Sequence, residues 1–269
     1  MTMLQTLNGF RKNIFSQNGE DGVLCEILKQ LGITHSNERG PYWCCEFGAW
    51  DGKYLSNTFN LVKEYGWNAV MIEGNKERFI DLERTAQEYS SIIAVHAFVD
   101  HKPDSEYLLD KVLKKTPIPI DFELLSIDID SDDLAVWEAF NEFNPKIVVI
   151  EINSSIPPGI LMWHSVGKNG NSFSSTLSVA CKKGYSFVCH TGNMIFVRND
   201  LLPKIKIDKI YLSYPELLFD PSWYNTGSVQ PPVSFLRRVI NKQKRIIKKL
   251  IGKRIWEYLK KLVKQKNGT

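Results

Sequence analysis

The chain has 269 residues and a mass of 30.9 kDa, enough for one large domain or for a domain with an appendage. It is 43% hydrophobic, 24% charged and 12% aromatic, with 12 Pro and 17 Gly. Such a chain can bury a core, which excludes wholesale disorder and a collagen-like or low-complexity architecture. The net charge of +4 averages two unlike parts: residues 231–269 hold 13 Lys and Arg against one acid, Glu257, while the first 230 hold 21 bases against 29 acids. A basic tail on an acidic body points to a polyanionic partner, either lipid head groups or nucleic acid.

Along the chain, residues 20–31 carry apolar side chains at helical spacing (Val23, Leu24, Ile27, Leu28, Leu31), and Gly32 ends the run. Residues 42–48 read as a strand running into a glycine turn, 54–65 as a helix stopped by Gly66, and 68–73 as a second buried strand. A helix over 76–89, a strand over 91–98, a helix over 105–115 and a strand over 122–129 follow. Next come a helix over 134–143, a strand over 146–152 and a helix over 175–183. Strands 185–190 and 193–198 close the series around the turn residues Thr191 and Gly192. The first five strands are continuously apolar, as expected where helices cover both faces of a sheet. The closing pair must be antiparallel. A parallel half followed by a terminal antiparallel hairpin predicts an α/β fold with the Rossmann-like class I methyltransferase sheet. The expected domains are 1–234, with its core over about 14–198, and a basic amphipathic helical tail over 235–269.

The five cysteines form no CxxC pair, which argues against a zinc ribbon or a thioredoxin-like site. Buried free thiols in a reducing compartment are expected. No long apolar N-terminal segment and no run of about 18 apolar residues occurs, so the chain is expected to be cytoplasmic without a transmembrane helix.

In open α/β sheets, ligands sit beyond the carboxyl ends of the strands. The first strand ends in Glu46, Phe47, Gly48, Ala49, Trp50, Asp51 and Gly52. Two glycines let backbone approach a ligand, while the interleaved acids would repel a pyrophosphate. S-adenosylmethionine carries a sulfonium, an ammonium and no phosphate, so acids suit it. Glu73 ends the second strand, where an acid can accept both hydroxyls of a ribose. Asp100 ends the third and could receive an adenine amino group or cap a helix. Asp128, Asp130, Asp132 and Asp133 crowd the end of the fourth strand, and Glu151 and Asn153 the end of the fifth. Asp128, Glu151 and Asn153 form a hard oxygen set suited to Mg²⁺ or Mn²⁺; a polar substrate cleft without metal is the other reading. In the long loop 154–174, His164 is a candidate general base; His190 is a weaker one, and a surface histidine is the plain alternative for both.

Residues 44–75, together with FSQNGEDGVL at 15–24, LLSIDIDSDDLAVWEAF and PKIVVIEIN, resemble the FkbM-type S-adenosylmethionine-dependent methyltransferases of bacterial surface-polysaccharide loci. The chain departs from that pattern at Ser131, where the family usually has Gly. The resemblance implies O-methylation of a sugar hydroxyl, with a glycan as partner. Glu46, Gly48, Asp51 and Gly52 would bound the methionine end of the cofactor, Glu73 the ribose, Asp100 the adenine side and Asp128 the reaction edge. Ser16, Gln17 and Asp21 would fold over the cofactor as a lid. Asp130 or His164 would supply the base, or a divalent ion at Asp128 and Glu151 would bind the hydroxyl instead. A non-catalytic, membrane-associated binding protein on the same fold is the rival reading.

In the tail, Leu236, Val239, Ile240, Ile247, Leu250, Ile251, Ile255, Leu259, Leu262 and Val263 recur at spacings of three and four, with Lys and Arg opposite. Such a helix lies in an anionic head-group layer, which places the protein peripherally on the inner face of the cell membrane. Docking on the acidic body or pairing with a second copy in a homo-oligomer is the alternative. The continuous apolar stripe argues against nucleic acid.

Overall fold

The computed structural model describes residues 5–33, 41–165, 167 and 170–220; the expected tail lies outside them. Seven strands form one sheet: β1 (Trp43–Phe47), β2 (Asn68–Glu73), β3 (Ile92–His96), β4 (Leu124–Ile127), β5 (Ile147–Glu151), β6 (Tyr185–His190) and β7 (Asn193–Arg198). Their order is β3-β2-β1-β4-β5-β7-β6, with β7 antiparallel to both neighbours and the other pairings parallel. This is the Rossmann-like class I methyltransferase sheet. Successive strands are added to one side of β1 up to β3 and to the other side from β4 on, so the topological switch point lies between β1 and β4.

Helices α1 (Glu20–Leu31), α2 (Phe59–Tyr65) and α3 (Lys76–Glu88) cover one face. Helices α4 (Leu109–Leu113), α5 (Asp133–Ala139) and α6 (Phe173–Lys182) cover the other, and a short α7 (Lys209–Ser213) follows the hairpin. Successive strand residues feed the two cores alternately. Cys44 packs with Trp67, Ala69 and Met71 beneath α1–α3, while Cys45 packs with Val70, Leu125 and Trp137 beneath α4–α6. All five thiols are free; Cys44, Cys45 and Cys189 are buried, but Cys181 is exposed, against expectation, because it lies on the outer side of α6. Among the described residues, no helix is long and apolar enough to cross a membrane.

Three helices begin or end four or more residues from their expected bounds. The first turn expected of α2 is instead an irregular loop, because Ser56, Asn57 and Thr58 donate to Glu46 rather than to a helical backbone. α4 starts four residues late, after an isolated bridge between Asp100 and Leu108. α5 stops at Ala139, and the amides of Asn141 and Glu142 donate to the Asp110 carboxylate instead.

Candidate active site

A cleft of about 690 Å³ opens at the carboxyl ends of the central strands, across the switch point. Its floor is the β1–α2 turn. Gly48 has φ +82°, and a Cβ there would lie 1.7 Å from the Asp128 carbonyl oxygen, so only glycine lets β1 and β4 approach this closely.

Three buried carboxylates shape the rim. Glu46, 4% exposed, accepts from Ser56 Oγ (2.5 Å), Thr58 Oγ1 (2.6 Å) and Asn57 N–H (2.9 Å). Glu73, 5% exposed, accepts from the N–H groups of Trp50 (2.9 Å) and Asn75 (2.7 Å). Asp133, 1% exposed, accepts from the N–H groups of Ile129 (2.8 Å) and Ser131 (3.0 Å). Burial pushes the Glu46 and Asp133 carboxyls above their ordinary range, and these hydrogen bonds work against it. Each clamp adjoins a non-glycine residue in the left-handed region: Trp50 (φ +49°), Leu55 (+57°) and Asp130 (+59°). All three residues line the cleft.

Asp128, Asp130 and Glu151 each place an oxygen within 4.8 Å of the others. Burial first, then the neighbouring carboxylates, pushes both Asp128 and Glu151 well up, and the two share a hydrogen bond. The pair therefore keeps a proton where an ordinary carboxyl has lost it. Asn153 does not line the cleft; its Oδ1 accepts from Ser155 N–H (3.0 Å) and Oγ (2.5 Å). Asp130 thus joins Asp128 and Glu151 in the carboxylate cluster that the fold gathers.

Other expected residues fall on both sides of the cleft boundary. Gln17, Gly48, Asp100 and Asp128 line it. Burial acts to raise Asp100, but the amides of Lys102 and His101 hold its carboxyl below the usual range. Asp51 and Gly52 do not line the cleft: Asp51 Oδ1 closes the turn by accepting from Lys53 N–H (2.9 Å) and Tyr54 N–H (2.7 Å), and Gly52 sits against Leu82 and Met71. Asp21 is buried, and its Oδ2 accepts the N–H groups of Ile14, Phe15 and Ser16 and so fixes the stretch that carries Gln17. His164 also lies outside the lining, its Nδ1 accepting from Gly170 N–H (3.3 Å). Its backbone N–H, not its ring, donates to Asn171 Oδ1, and Asn171 donates in turn to the Ser131 carbonyl.

His190 is fully buried rather than on the surface. Its Nδ1 accepts from Asp220 N–H, so Nε2 carries the proton and donates to Ser154 Oγ, which donates in turn to the Gly192 carbonyl. That direction is opposite to the one that activates a serine. Burial lowers the imidazole to about 4, so it stays neutral and structural.

The cleft has liners that the strand-end acids did not announce. The Arg78 guanidinium lies 3.9 Å from the centre of the Trp50 ring, and the Tyr54 ring meets Trp50 edge-on at 5.4 Å. Phe98, Lys102 and Tyr107 line the β3 side. A tryptophan between the two glycines of the first turn was the available signal; Phe98 and Tyr107 had none, since aromatic residues near strand ends are common in cores.

No family model and no curated protein matches the chain. Solved structures with a similar course of chain include the citrinin polyketide synthase CMeT domain, at 10% identity over 69% of this chain and 55% of that one, with a TM-score of 0.45. TrmK of M. capricolum in complex with S-adenosyl-homocysteine shares 9% identity over 84% and 85%, with a TM-score of 0.39. The cyclase SpnF shares 10% identity over 66% and 63%, also at 0.39. The chain spans little more than half the length of the polyketide synthase domain. These likenesses carry no argument about chemistry, which rests on the strand order and the cleft.

Proposed function

We propose that the protein is an S-adenosylmethionine-dependent O-methyltransferase of the FkbM type, acting on a sugar hydroxyl of a surface polysaccharide or lipid-linked glycan. The observation that carries this reading is the cleft at the β1/β4 switch point, with Glu73 at the end of β2 and Asp128 at the end of β4 on its walls. In this reading Glu73 would accept ribose hydroxyls, and the carboxylates of β4 and β5 would face a sulfonium. Methyl transfer forms a carbon–oxygen bond as the carbon–sulfur bond breaks; the electron pair passes to sulfur, and the hydroxyl proton must go to a base. Of the two base candidates, Asp130 lines the cleft and His164 does not. The protein's part is to align the hydroxyl with the methyl carbon and receive that proton.

A metal-assisted form of the same reaction is favoured by the three clustered oxygens of Asp128, Asp130 and Glu151. Mg²⁺ or Mn²⁺ held there would lower the pKa of the acceptor hydroxyl. The basic tail is the proposed attachment to an anionic membrane surface on the cytoplasmic side.

The test is thermal. Saturating S-adenosylhomocysteine should raise the melting temperature, and Glu73→Gln should weaken its binding about tenfold or more, as expected when a charged acceptor loses its charge. An unmoved melting temperature in the parent protein would sink the reading.

A further inference from the structure

We propose that Trp50, Leu55 and Asp130 read the methyl acceptor, and that the acceptor is a neutral, polyhydroxylated ring. The inference rests on the cofactor reading above. Left-handed backbone at a non-glycine residue is costly and persists where the surroundings over-determine it, which happens most often at ligand sites. Here the surroundings are specific. Glu73 takes the amide of Trp50, Glu46 takes the Ser56 hydroxyl and the Asn57 amide just after Leu55, and Asp133 takes the amides on both sides of Asp130. Three buried acids thus hold three strained residues, and the three residues stand around one opening.

Their positions fit an acceptor. Trp50 and Leu55 belong to the β1–α2 connection and Asp130 to the β4–α5 connection, so they stand on the two lips of the β1/β4 crevice. Trp50 is 40% and Leu55 39% exposed, and Asp130 is exposed too. An aromatic and aliphatic lip opposite a carboxylate matches a ring with an apolar C–H face and hydroxyls on its edge. Asp128 and Glu151 beside Asp130 would repel an acidic ring. Arg78 already lies over Trp50, so a cationic ring would meet a like charge there.

The test uses the full chain saturated with S-adenosylhomocysteine, and saturation-transfer NMR with methyl glycosides of a neutral hexose, of a hexuronic acid and of an amino sugar. The hexoside should give signal and the other two should not. Leu55→Gly and Asp130→Gly relieve the backbone strain, so each should raise the melting temperature by about 2–4 °C while the hexoside signal falls about tenfold. A merely structural role would not combine a higher melting temperature with lost sugar binding. Three results would each overturn the proposal: equal signals for the three glycosides, undiminished signal in both variants, or no glycoside signal from a protein that the homocysteine cofactor does stabilise. Failure of that cofactor to stabilise the parent would instead remove the cofactor reading, and this inference with it.

Discussion

A carboxylate buried to within a few per cent of full cover needs donors, and at this cleft the donors come from the chain's own turns. Glu46, Glu73 and Asp133 stand where strand-end acids are expected to meet a ligand, and in the folded chain all three also fix the backbone around the cleft, Glu46 and Glu73 while lining it. The same tightness sets the tolerance of Gly48. Its missing Cβ points at backbone, the Asp128 carbonyl oxygen at 1.7 Å, and backbone cannot swing aside as a flexible side chain can. Gly48→Ala should therefore cost about 3 kcal/mol or more, from the overlap and the positive φ together. Urea unfolding measures it, and a loss below about 1 kcal/mol would mean that β1 and β4 separate easily. The acids themselves were legible in the sequence because strand ends are marked by the change from apolar to polar residues. Their clamping role was not, since it depends on amides of Trp50, Asn57, Ile129 and Ser131, which every residue except proline possesses. The strained Asp130 was hidden for a related reason: attention falls on the glycines of a turn, whereas here the left-handed position is held by an aspartate beside Ser131.

At the scale of elements, the ends of β4 and β5 form one electrostatic unit. Asp128 and Glu151 sit on neighbouring parallel strands, and burial together with their mutual repulsion makes them retain a proton above the ordinary carboxyl range near pH 4. A bound sulfonium favours the ionised pair; the thioether of the demethylated product carries no charge to do so. Binding of S-adenosylmethionine should then expel a proton, whereas binding of S-adenosylhomocysteine should not. The ratio of the two affinities should climb in favour of the methionine cofactor as pH rises from about 5 to about 9. Calorimetry in two buffers of unlike ionisation enthalpy reads the expelled proton directly; identical pH dependence for both cofactors would place the sulfur away from this pair. The strands bearing these acids were readable because both faces are buried, giving unbroken apolar runs. α1 and α3 were readable because a long amphipathic period survives end effects. α2, α4 and α5 are only five to seven residues long, and their ends are set by side chains from elsewhere (Glu46 and Asp110 among them), which a local pattern does not contain.

For the whole molecule, the decisive feature is the division of charge. The described residues all belong to one compact unit, Met1–Asn225, and the acidic excess of the chain lies before residue 231. The 13 bases of residues 231–269 follow that unit, interleaved with apolar residues at helical spacing. Near an anionic leaflet each base contributes about 1 kcal/mol, and even a heavily discounted sum exceeds what a single lipid chain gives. The acidic part is repelled by the same surface, but screening over about 8 Å at physiological salt confines that repulsion to groups close to the head groups. Full-length protein should therefore sediment with vesicles containing phosphatidylserine and stay in solution with pure phosphatidylcholine. Raising the salt toward 1 M, where screening shortens to about 3 Å, should release much of it. Removing residues 235–269 should abolish sedimentation and leave the stabilisation by S-adenosylhomocysteine intact, because every cleft-lining residue lies before residue 152. A truncated protein that still sediments would assign membrane contact to the body. Binding that ignores lipid charge would mean that the apolar stripe, and not the charge, does the holding.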